Sequence, residues 1–292
     1  MRRDSVAGVS VAALLLPEAI AYGGIAGFPP GQALVAALAG IAAYALVGRS
    51  RVAIVAPTSA SAATLAAATA SLAIADPSQR LLAAVVMVGL VGLLFLVAGA
   101  LRLGFVAAFV SRPVLRGFAI GLAASIVLRQ FIATTGVAPG DGDVLSQLAV
   151  TVAHIPGWNG ASLAIGAGAL AVALLLRRWP MVPSALVLLA LGTLLASLVD
   201  LRAWHVPLVG AIDLTFAAPR LPQLDHAHWV ALASAAMPLA LIVFVESWGT
   251  MRSLALNRGE SVDPNRELVA IGVANLAAAA VGGQVVGAGF SA

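Results

Sequence analysis

The feature that most constrains this chain is a succession of apolar runs, each about as long as a bilayer is thick. The clearest covers residues 81–101, which contain no charged side chain. A helix of about 20 apolar residues crosses a hydrocarbon core of roughly 30 Å. The chain is 61% hydrophobic and 10% charged, whereas soluble domains are about half apolar and a quarter charged. It is therefore predicted to be an all-α polytopic membrane protein.

The apolar runs predict a series of membrane spans, with a further one beginning near Phe290. Their Ala and Gly residues let helix backbones approach closely in lipid. The outer connections at 134–158 and 200–228 are predicted to form ordered turns. The spans are predicted at residues 5–26, 31–48, 52–74, 81–101, 113–133, 160–178, 181–199, 229–248 and 264–281.

Arginine placement predicts the orientation, because cytoplasmic loops are enriched in positive charge. All sixteen basic residues are Arg; with the N-terminus inside, twelve lie in inner loops and three in outer loops, with Arg129 near the outer end of its span. We therefore expect a cytoplasmic N-terminus in a bacterial-type inner membrane. The arginines are scattered in ones and twos, so no nucleic-acid partner is expected.

One acid lies deep in the first span. In a helix over 5–26, Glu18 is roughly 20 Å from the start of the span. A carboxylate there is costly in lipid, so it should face a protein interior or a watery cavity. The preceding Pro17 lacks an N–H and frees the carbonyl of Ala13. Glu18 is therefore a candidate functional residue; a protonated structural Glu bonded to a neighbouring helix is the alternative.

The third span is predicted to be broken. Residues 52–55 form a β-like run, and Pro57 with Thr58 and Ser59 indicates a helix start. A helix that begins at mid-depth offers an anion its positive dipole end and its unpaired N–H groups. Transporters use such discontinuous helices, usually in pairs related by an internal repeat.

A candidate partner for this break lies at residues 284–292. A shift of 232 positions places Gly40 on Gly272 and superposes the two predicted breaks. We interpret this as an internal repeat; chance similarity in an Ala-rich chain is the alternative. Residues 52–56 and 284–288 are then expected to run as short extended segments that cross near mid-depth.

A second acid, Glu246, interrupts the span at 229–248. Trp248 and Arg252 place the inner membrane face close by, so an interfacial solvated Glu and a buried functional one are both open. No nucleophile–base pair or metal constellation is predicted at membrane depth, and the chain has no Cys. We therefore expect no enzyme activity, no metal and no cofactor.

Several short motifs occur together along the chain. They are LPEAIAY (16–22) with AGFPP (26–30), GRSR (48–51) with AP (56–57), RPVLRGF (112–118), VFVES (243–247), and DPNREL (263–268) with GG (282–283). In this combination the chain resembles the membrane domain of a SulP-type anion transporter (solute carrier family 26). The resemblance extends over nearly the whole chain.

The resemblance implies a fold of two inverted repeats of seven spans, with two broken half-helix spans preceded by short strands. Spans one to four and eight to eleven of that fold form a core. Residues 1–292 would be a transmembrane transport domain, with 1–199 as the first repeat and 229–292 as the start of the second. The chain is then expected to be truncated at the tenth span and to lack the STAS domain that usually follows. A homodimer is expected for the complete protein.

The resemblance also places the substrate between the first span and the opposed N-termini of spans three and ten. Glu18 replaces the Gln usual in the family, and Ala292 replaces a frequent Arg, so the site is less cationic. Glu18 and Glu246 are therefore the expected proton-coupling residues. The substrate-binding residues implied by position are Glu18, Tyr22, Thr58, Ser59, Phe290 and Ser291.

Together these features predict a secondary active transporter that symports a proton with sulfate, bicarbonate or a small dicarboxylate. An anion channel or exchanger of the same family is one alternative. A nucleobase:proton symporter of the same fold, with a Glu on the eighth span that binds the base, is another. The helix start at Thr58 and Ser59 favours an anion. The expected partners are a small anion, protons and the lipid bilayer.

Overall fold

The structure is a computed structural model that describes residues 2–50, 53–109, 112–137, 144–179, 182, 184–206, 208–209, 212–214 and 220–289. Within these ranges the chain is mostly α-helical, which confirms the predicted all-α class. The strands are β1 (Val55–Ala56) and β2 (Gly287–Ala288), and 3₁₀ helices occur at Leu103–Phe109 and Ile155–Gly157. The α-helices are α1 (Arg2–Ile25), α2 (Pro30–Val47), α3 (Ser59–Ser71), α4 (Pro77–Ala100), α5 (Arg112–Thr135), α6 (Val144–Ala153), α7 (Gly160–Leu176), α8 (Ser184–Leu198), α9 (His226–Arg258) and α10 (Pro264–Ala280).

Three of the described helices are long and apolar enough to cross a membrane, fewer than the spans predicted from the sequence. They are α2, α4 and residues His226–Ala255 of α9. Shorter apolar helices lie at Val11–Ile25, Val144–Ala153, Gly160–Leu176 and Leu186–Leu198. One predicted span that falls short is α3, which begins only after β1 and is 13 residues long.

One sequence prediction about a connection is wrong. The outer connection at 134–158 contains α6 rather than turns alone. The Trp158 ring lies edge-on to Phe131, and its Nε1 donates to the Thr151 carbonyl over 2.9 Å. This contact holds the end of α6 in place. The span predicted at 229–248 lies within α9, whose residues His226–Ala255 are apolar and long enough to cross a membrane, and the helix itself continues to Arg258.

The chain divides into two compact units. The first comprises Met1–Leu14 and Arg116–Ala211, and the second comprises Leu15–Leu115 and Ile212–Ala292. In the first unit, Asn159 caps α7, and its amide donates to the Trp204 carbonyl over 2.8 Å. The second unit contains both strands with α2–α4, α9 and α10, and these are the spans that the resemblance assigns to the core.

The two strands pair with each other, as predicted for extended segments at the two breaks. β1 and β2 are antiparallel, with Val55 opposite Ala288 and Ala56 opposite Gly287. Both strands are buried. Because each strand has only two residues, other groups must satisfy the backbone on either side of the pair.

Glycines let α4 and α10 cross in close contact. A Cβ on Gly92 would lie 2.9 Å from the Gly272 carbonyl oxygen, and a Cβ on Gly272 would lie 2.9 Å from the Gly92 carbonyl oxygen. Small residues at a crossing let two backbones approach, which is how helices associate in lipid. The two glycines therefore set the distance between α4 and α10.

A buried carboxylate at the start of α10 fixes the turn that leads from α2 toward β1. Glu267 is 2% exposed. It accepts hydrogen bonds from Tyr44 Oη over 2.6 Å, Ser50 N over 3.0 Å and Arg49 N over 3.3 Å. Backbone donors that converge on one carboxylate hold a turn in a single conformation. This contact positions the chain eight residues before Thr58.

Candidate functional site

The helix start predicted after β1 positions two of the candidate side chains. Thr58 is the N-cap of α3, and its Oγ1 accepts a hydrogen bond from Ser61 N over 3.3 Å. Thr58 and Ser59 are both buried. The cap satisfies one of the N–H groups that a first turn leaves without a helical partner. Among the described residues, Ser61 N is the first-turn N–H group that the Thr58 side chain caps.

Glu246 on α9 brings a carboxyl group to this helix start. Glu246 is 2% exposed, and Thr58 Oγ1 donates a hydrogen bond to Glu246 Oε2 over 2.6 Å. The interfacial, solvated position considered for Glu246 is therefore wrong. Packing of α9 against α3 buries the side chain, although Trp248 and Arg252 follow it closely in the sequence.

Three oxygen-bearing side chains form a continuous chain of hydrogen bonds at this point. Glu246 Oε2 lies 2.6 Å from Thr58 Oγ1, which lies 2.7 Å from Ser61 Oγ. Ser61 Oγ in turn donates to the Thr58 carbonyl over 3.1 Å. Each hydroxyl has one proton and two lone pairs. When Glu246 carries a proton, it donates to Thr58 Oγ1, Thr58 donates to Ser61 Oγ, and Ser61 donates to the Thr58 carbonyl, so every bond has its proton. When Glu246 is ionised, Thr58 donates to Glu246, and the single Ser61 proton serves either Thr58 Oγ1 or the Thr58 carbonyl.

The candidates on the first helix lie one turn apart on α1, which continues as a helix through Pro17. Glu18 is half-buried. Tyr22 is buried in the hydrophobic cluster that also contains Val55 of β1 and Ala288 of β2. The structure thus brings Tyr22 into the core around the strand pair.

A hydrogen bond ties α1 to the segment that leads into β2. Gln284 Nε2 donates to the Ala19 carbonyl over 2.9 Å. Gln284 is fully buried, and among the described residues its Oε1 has no partner. Because Ala19 directly follows Glu18, this bond fixes the backbone beside the candidate acid relative to β2.

The last two candidates, Phe290 and Ser291, lie outside the described residues, so their place at a second helix start stays a prediction. The described chain reaches Gly289, directly after β2. Since Ala288 is opposite Val55, β2 brings the chain alongside β1 immediately before those residues.

The sequence analysis missed two polar side chains that hold β2. Asn275 of α10 donates from Nδ2 to the Val286 carbonyl over 2.8 Å and accepts at Oδ1 from Val286 N over 3.0 Å. Ser247 Oγ of α9 accepts from Ala288 N over 2.9 Å. Both side chains are fully buried. An uncharged polar side chain inside an apolar span is costly without a hydrogen-bond partner. The presence of Asn275 in such a span was therefore the sequence signal for a buried polar contact.

The arrangement joins two electrostatic features that oppose each other. The N-terminus of α3 carries partial positive charge, and a helix N-terminus favours an anion. An ionised Glu246, one hydrogen bond away, would compete with that anion. The protonation state of Glu246 therefore decides how attractive the helix start is to a ligand.

Two exposed acids cap helices outside this site. The Asp225 carboxylate contacts His228 at its backbone N (2.9 Å) and at Nδ1 (2.6 Å), and the bond from the backbone lowers the pKa of Asp225. Asp76, at the start of α4, has its pKa lowered by hydrogen bonds from Ser78. Among the described residues, no group of three His, Cys, Asp or Glu side chains is placed to hold a metal ion.

Comparison with known proteins identifies relatives along the whole chain. The model of the sulfate permease family matches residues 1–292. The "Probable sulfate transporter MT1781" of Mycobacterium tuberculosis (strain CDC 1551 / Oshkosh) is 35% identical over 284 residues, covering 95% of this chain and 50% of that protein. "Sulfate transporter 4.1, chloroplastic" of Arabidopsis thaliana is 27% identical over 289 residues, covering 94% and 41%. The chain thus spans about half the length of the curated relatives it matches.

Solved structures share the fold. The transmembrane domain of a cyanobacterium bicarbonate transporter, BicA, aligns with a TM-score of 0.81 and 25% identity over 97% of this chain and 73% of that one. The murine Slc26a9 anion transporter in the inward-facing state aligns with a TM-score of 0.82 and 20% identity over 97% and 51%, a likeness of fold alone. The match of the family model over residues 1–292, together with a relative that is 35% identical, establishes that this integral membrane protein belongs to the sulfate permease family, a family of transporters rather than enzymes.

Proposed function

We propose that the protein is a secondary active transporter that symports a small anion with a proton. Its family is described as sulfate permeases. A relative is named as a probable sulfate transporter, and a structural neighbour is named as a bicarbonate transporter. These names support an anion as the substrate class, with sulfate, bicarbonate or a small dicarboxylate as the candidates. The proton coupling is proposed from the chemistry of the site.

The observation that carries the proposal is the hydrogen bond between Thr58 and the buried Glu246 carboxyl. It joins an acid to a helix N-terminus that favours an anion. An ionised carboxylate at that distance opposes a bound anion, because a low dielectric strengthens repulsion between like charges. A proton on Glu246 removes this repulsion. Proton and anion would then bind together and cross the membrane together.

Glu18 is the second proposed coupling group. It is half-buried on α1, beside the carbonyl that Gln284 holds. If burial keeps Glu18 protonated while the anion is bound, the same linkage between proton and anion results. The proposed substrate-binding set remains Glu18, Tyr22, Thr58, Ser59, Phe290 and Ser291.

We also propose that the chain contains the first of two inverted repeats, at 1–199, and the start of the second, at 229–292. The strand register supports this division. A shift of 232 positions carries Val55 to Gly287 and Ala56 to Ala288, so the pairs Val55–Ala288 and Ala56–Gly287 exchange with each other. The same shift moves α2 to 262–279, against 264–280 for α10. A two-fold relation between the repeats requires this register.

Proton-driven uptake is the test that separates the candidate functions. The complete protein, reconstituted in liposomes, would be given labelled sulfate, hydrogencarbonate or succinate at two pH values, with and without an imposed proton gradient. A symporter concentrates its anion on the gradient. A channel or exchanger shows no proton-driven accumulation.

A nucleobase symporter is the second candidate function, because Glu246 is a buried acid on the helix that corresponds to the eighth span. Labelled uracil therefore belongs in the same panel. Proton-driven uptake of uracil without uptake of any anion would overturn the proposed substrate class.

Three further features are proposed for the complete protein. The arginine distribution favours a bacterial-type inner membrane and a cytoplasmic N-terminus. The family resemblance implies a homodimer. No nucleic-acid partner is expected.

A further inference from the structure

Both edges of β2 are hydrogen-bonded, but only one of them faces another strand. Backbone polar groups alternate between the two edges of a strand, so the N–H groups of Val286 and Ala288 point to the same side. Asn275 and Ser247 occupy that side. The backbone groups of Gly287 point to the other side, where Ala56 of β1 lies opposite.

Asn275 pairs with Val286 as a neighbouring strand would. Its amide gives a donor to the Val286 carbonyl and an acceptor to the Val286 N–H, at 2.8 and 3.0 Å. The second amide proton donates to the Ile271 carbonyl of its own helix over 2.9 Å. A flipped amide would set its NH₂ against the Val286 N–H, so the backbone determines the orientation of the side chain. Of the polar residues, only Asn and Gln combine a donor and an acceptor in one planar amide.

Ser247 completes this edge one residue after Glu246. Its Oγ accepts from Ala288 N over 2.9 Å. A Cβ on Gly287 would lie 3.0 Å from the same oxygen and 3.2 Å from Val243, so β2 lies directly against α9. Two consecutive residues of α9 thus contact the two crossing segments: Glu246 contacts the cap of α3, and Ser247 contacts β2.

We propose that Asn275 and Ser247 are positioning residues, which together replace a third strand and fix β2 for anion binding. The proposal rests on the proposed function, because β2 leads within three residues to Ser291 of the proposed substrate site. A strand of two residues paired on one edge only is weakly held. Through the hydrogen bonds of Ser247 and Asn275, β2 is attached to α9 and α10. This attachment therefore sets the position of β2, from which the chain leads toward Ser291, relative to Thr58.

The experiment uses Ser247→Ala and Asn275→Leu in the complete protein. Ser247→Ala leaves the Ala288 N–H without its acceptor, and Asn275→Leu removes both bonds to Val286 at similar volume. We expect each variant to raise the apparent KM for labelled sulfate about tenfold, the effect of losing a buried hydrogen bond, with a smaller change in maximal rate. The double variant should show less than the product of the two effects, since both residues hold the same strand.

Hydrogen exchange measured by mass spectrometry gives a second readout. Amide exchange in the peptide around residues 284–289 should accelerate in both variants. Ser247→Cys, which keeps a weaker acceptor at nearly the same volume, should give an intermediate rate. Thr69→Val is the matched control: Thr69 is also buried, but its hydroxyl donates to the Leu65 and Ala66 carbonyls of its own helix. It should leave KM and exchange in this peptide unchanged.

Wild-type KM and wild-type exchange in folded Ser247→Ala and Asn275→Leu would overturn the proposal, as would an equal effect of Thr69→Val. If the wild-type protein transports none of sulfate, hydrogencarbonate and succinate, the proposed function fails. The exchange measurement then decides the positioning role by itself, because it requires no substrate.

Discussion

Glu18 and Glu246 are both acids in apolar helices, but the structure surrounds them differently. Glu246 is almost completely buried and bonded to the cap of α3, whereas Glu18 is half-buried on α1. A carboxyl that bonds to a helix start is coupled to that start through one hydrogen bond. A carboxyl that is partly open can exchange protons with a cavity. The two residues therefore call for separate tests.

Glu18→Gln keeps the shape of the side chain and a hydrogen-bonding head but removes titration. We expect this variant to bind anion and to lose acid-stimulated, proton-driven accumulation. Uptake in proteoliposomes against pH, with and without a proton gradient, measures both properties. If the variant keeps the wild-type pH profile and still concentrates substrate, Glu18 is not the coupling group.

Glu246→Gln keeps an oxygen that can accept from Thr58, whereas Glu246→Leu does not. If Glu246 couples the proton, the Gln variant should transport anion down its gradient with a flat pH profile. The Leu variant should also lose affinity, because the cap of α3 loses its partner. The same uptake assay compares the two variants. A wild-type pH profile for Glu246→Gln would exclude Glu246 as the coupling group.

At the scale of elements, the start of α3 is the part of the site that the structure defines best. Ser59→Glu places a carboxylate at the N-terminus of this helix, which favours the helix electrostatically but occupies the anion position. We expect a folded protein that has lost anion uptake. Ser71→Glu, at the exposed end of the same helix, is the control and should transport normally. Normal uptake by Ser59→Glu would place the anion site elsewhere.

The crossing of α4 and α10 gives a prediction about stability. Gly272→Ala brings a methyl group 2.9 Å from the Gly92 carbonyl oxygen and 3.0 Å from Leu96, so one of the helices must shift. Overpacking of this kind costs about 1–3 kcal/mol. Gly89→Ala in the same helix as Gly92 meets its nearest atom at 3.7 Å and should be neutral. Thermal unfolding of the purified protein compares the two, and equal melting temperatures would contradict the close crossing.

At the scale of the whole molecule, the lack of Cys makes the predicted orientation directly testable. Gln223 and Glu260 are exposed, and they lie just before the start and just after the end of α9. In intact cells, Gln223→Cys should react with a membrane-impermeant maleimide, and Glu260→Cys should react only after the membrane is opened. The unmodified protein is the blank. The reverse labelling pattern would place the N-terminus outside.

The sequence by itself determined the membrane class, the family and the places of the two short strands. Apolar runs without charges leave few alternatives, since a spanning segment must satisfy its backbone internally. Proline with two hydroxyl residues at 57–59 indicated where α3 begins, because these residues suit a helix start whatever surrounds them. Such features are local, so the order of residues is sufficient to predict them.

Only the tertiary structure decided which polar groups meet. The pairing of Thr58 with Glu246 joins residues 188 positions apart, and that of Gln284 with Ala19 joins residues 265 apart. The burial of Glu246 was left open by its neighbours in the sequence and was resolved by the packing of α9 against α3. The sequence pattern did not reveal the role of Asn275 and Ser247, because both side chains bind the backbone of a distant segment. Their role depends on the path of another segment, and that path exists only in the folded chain.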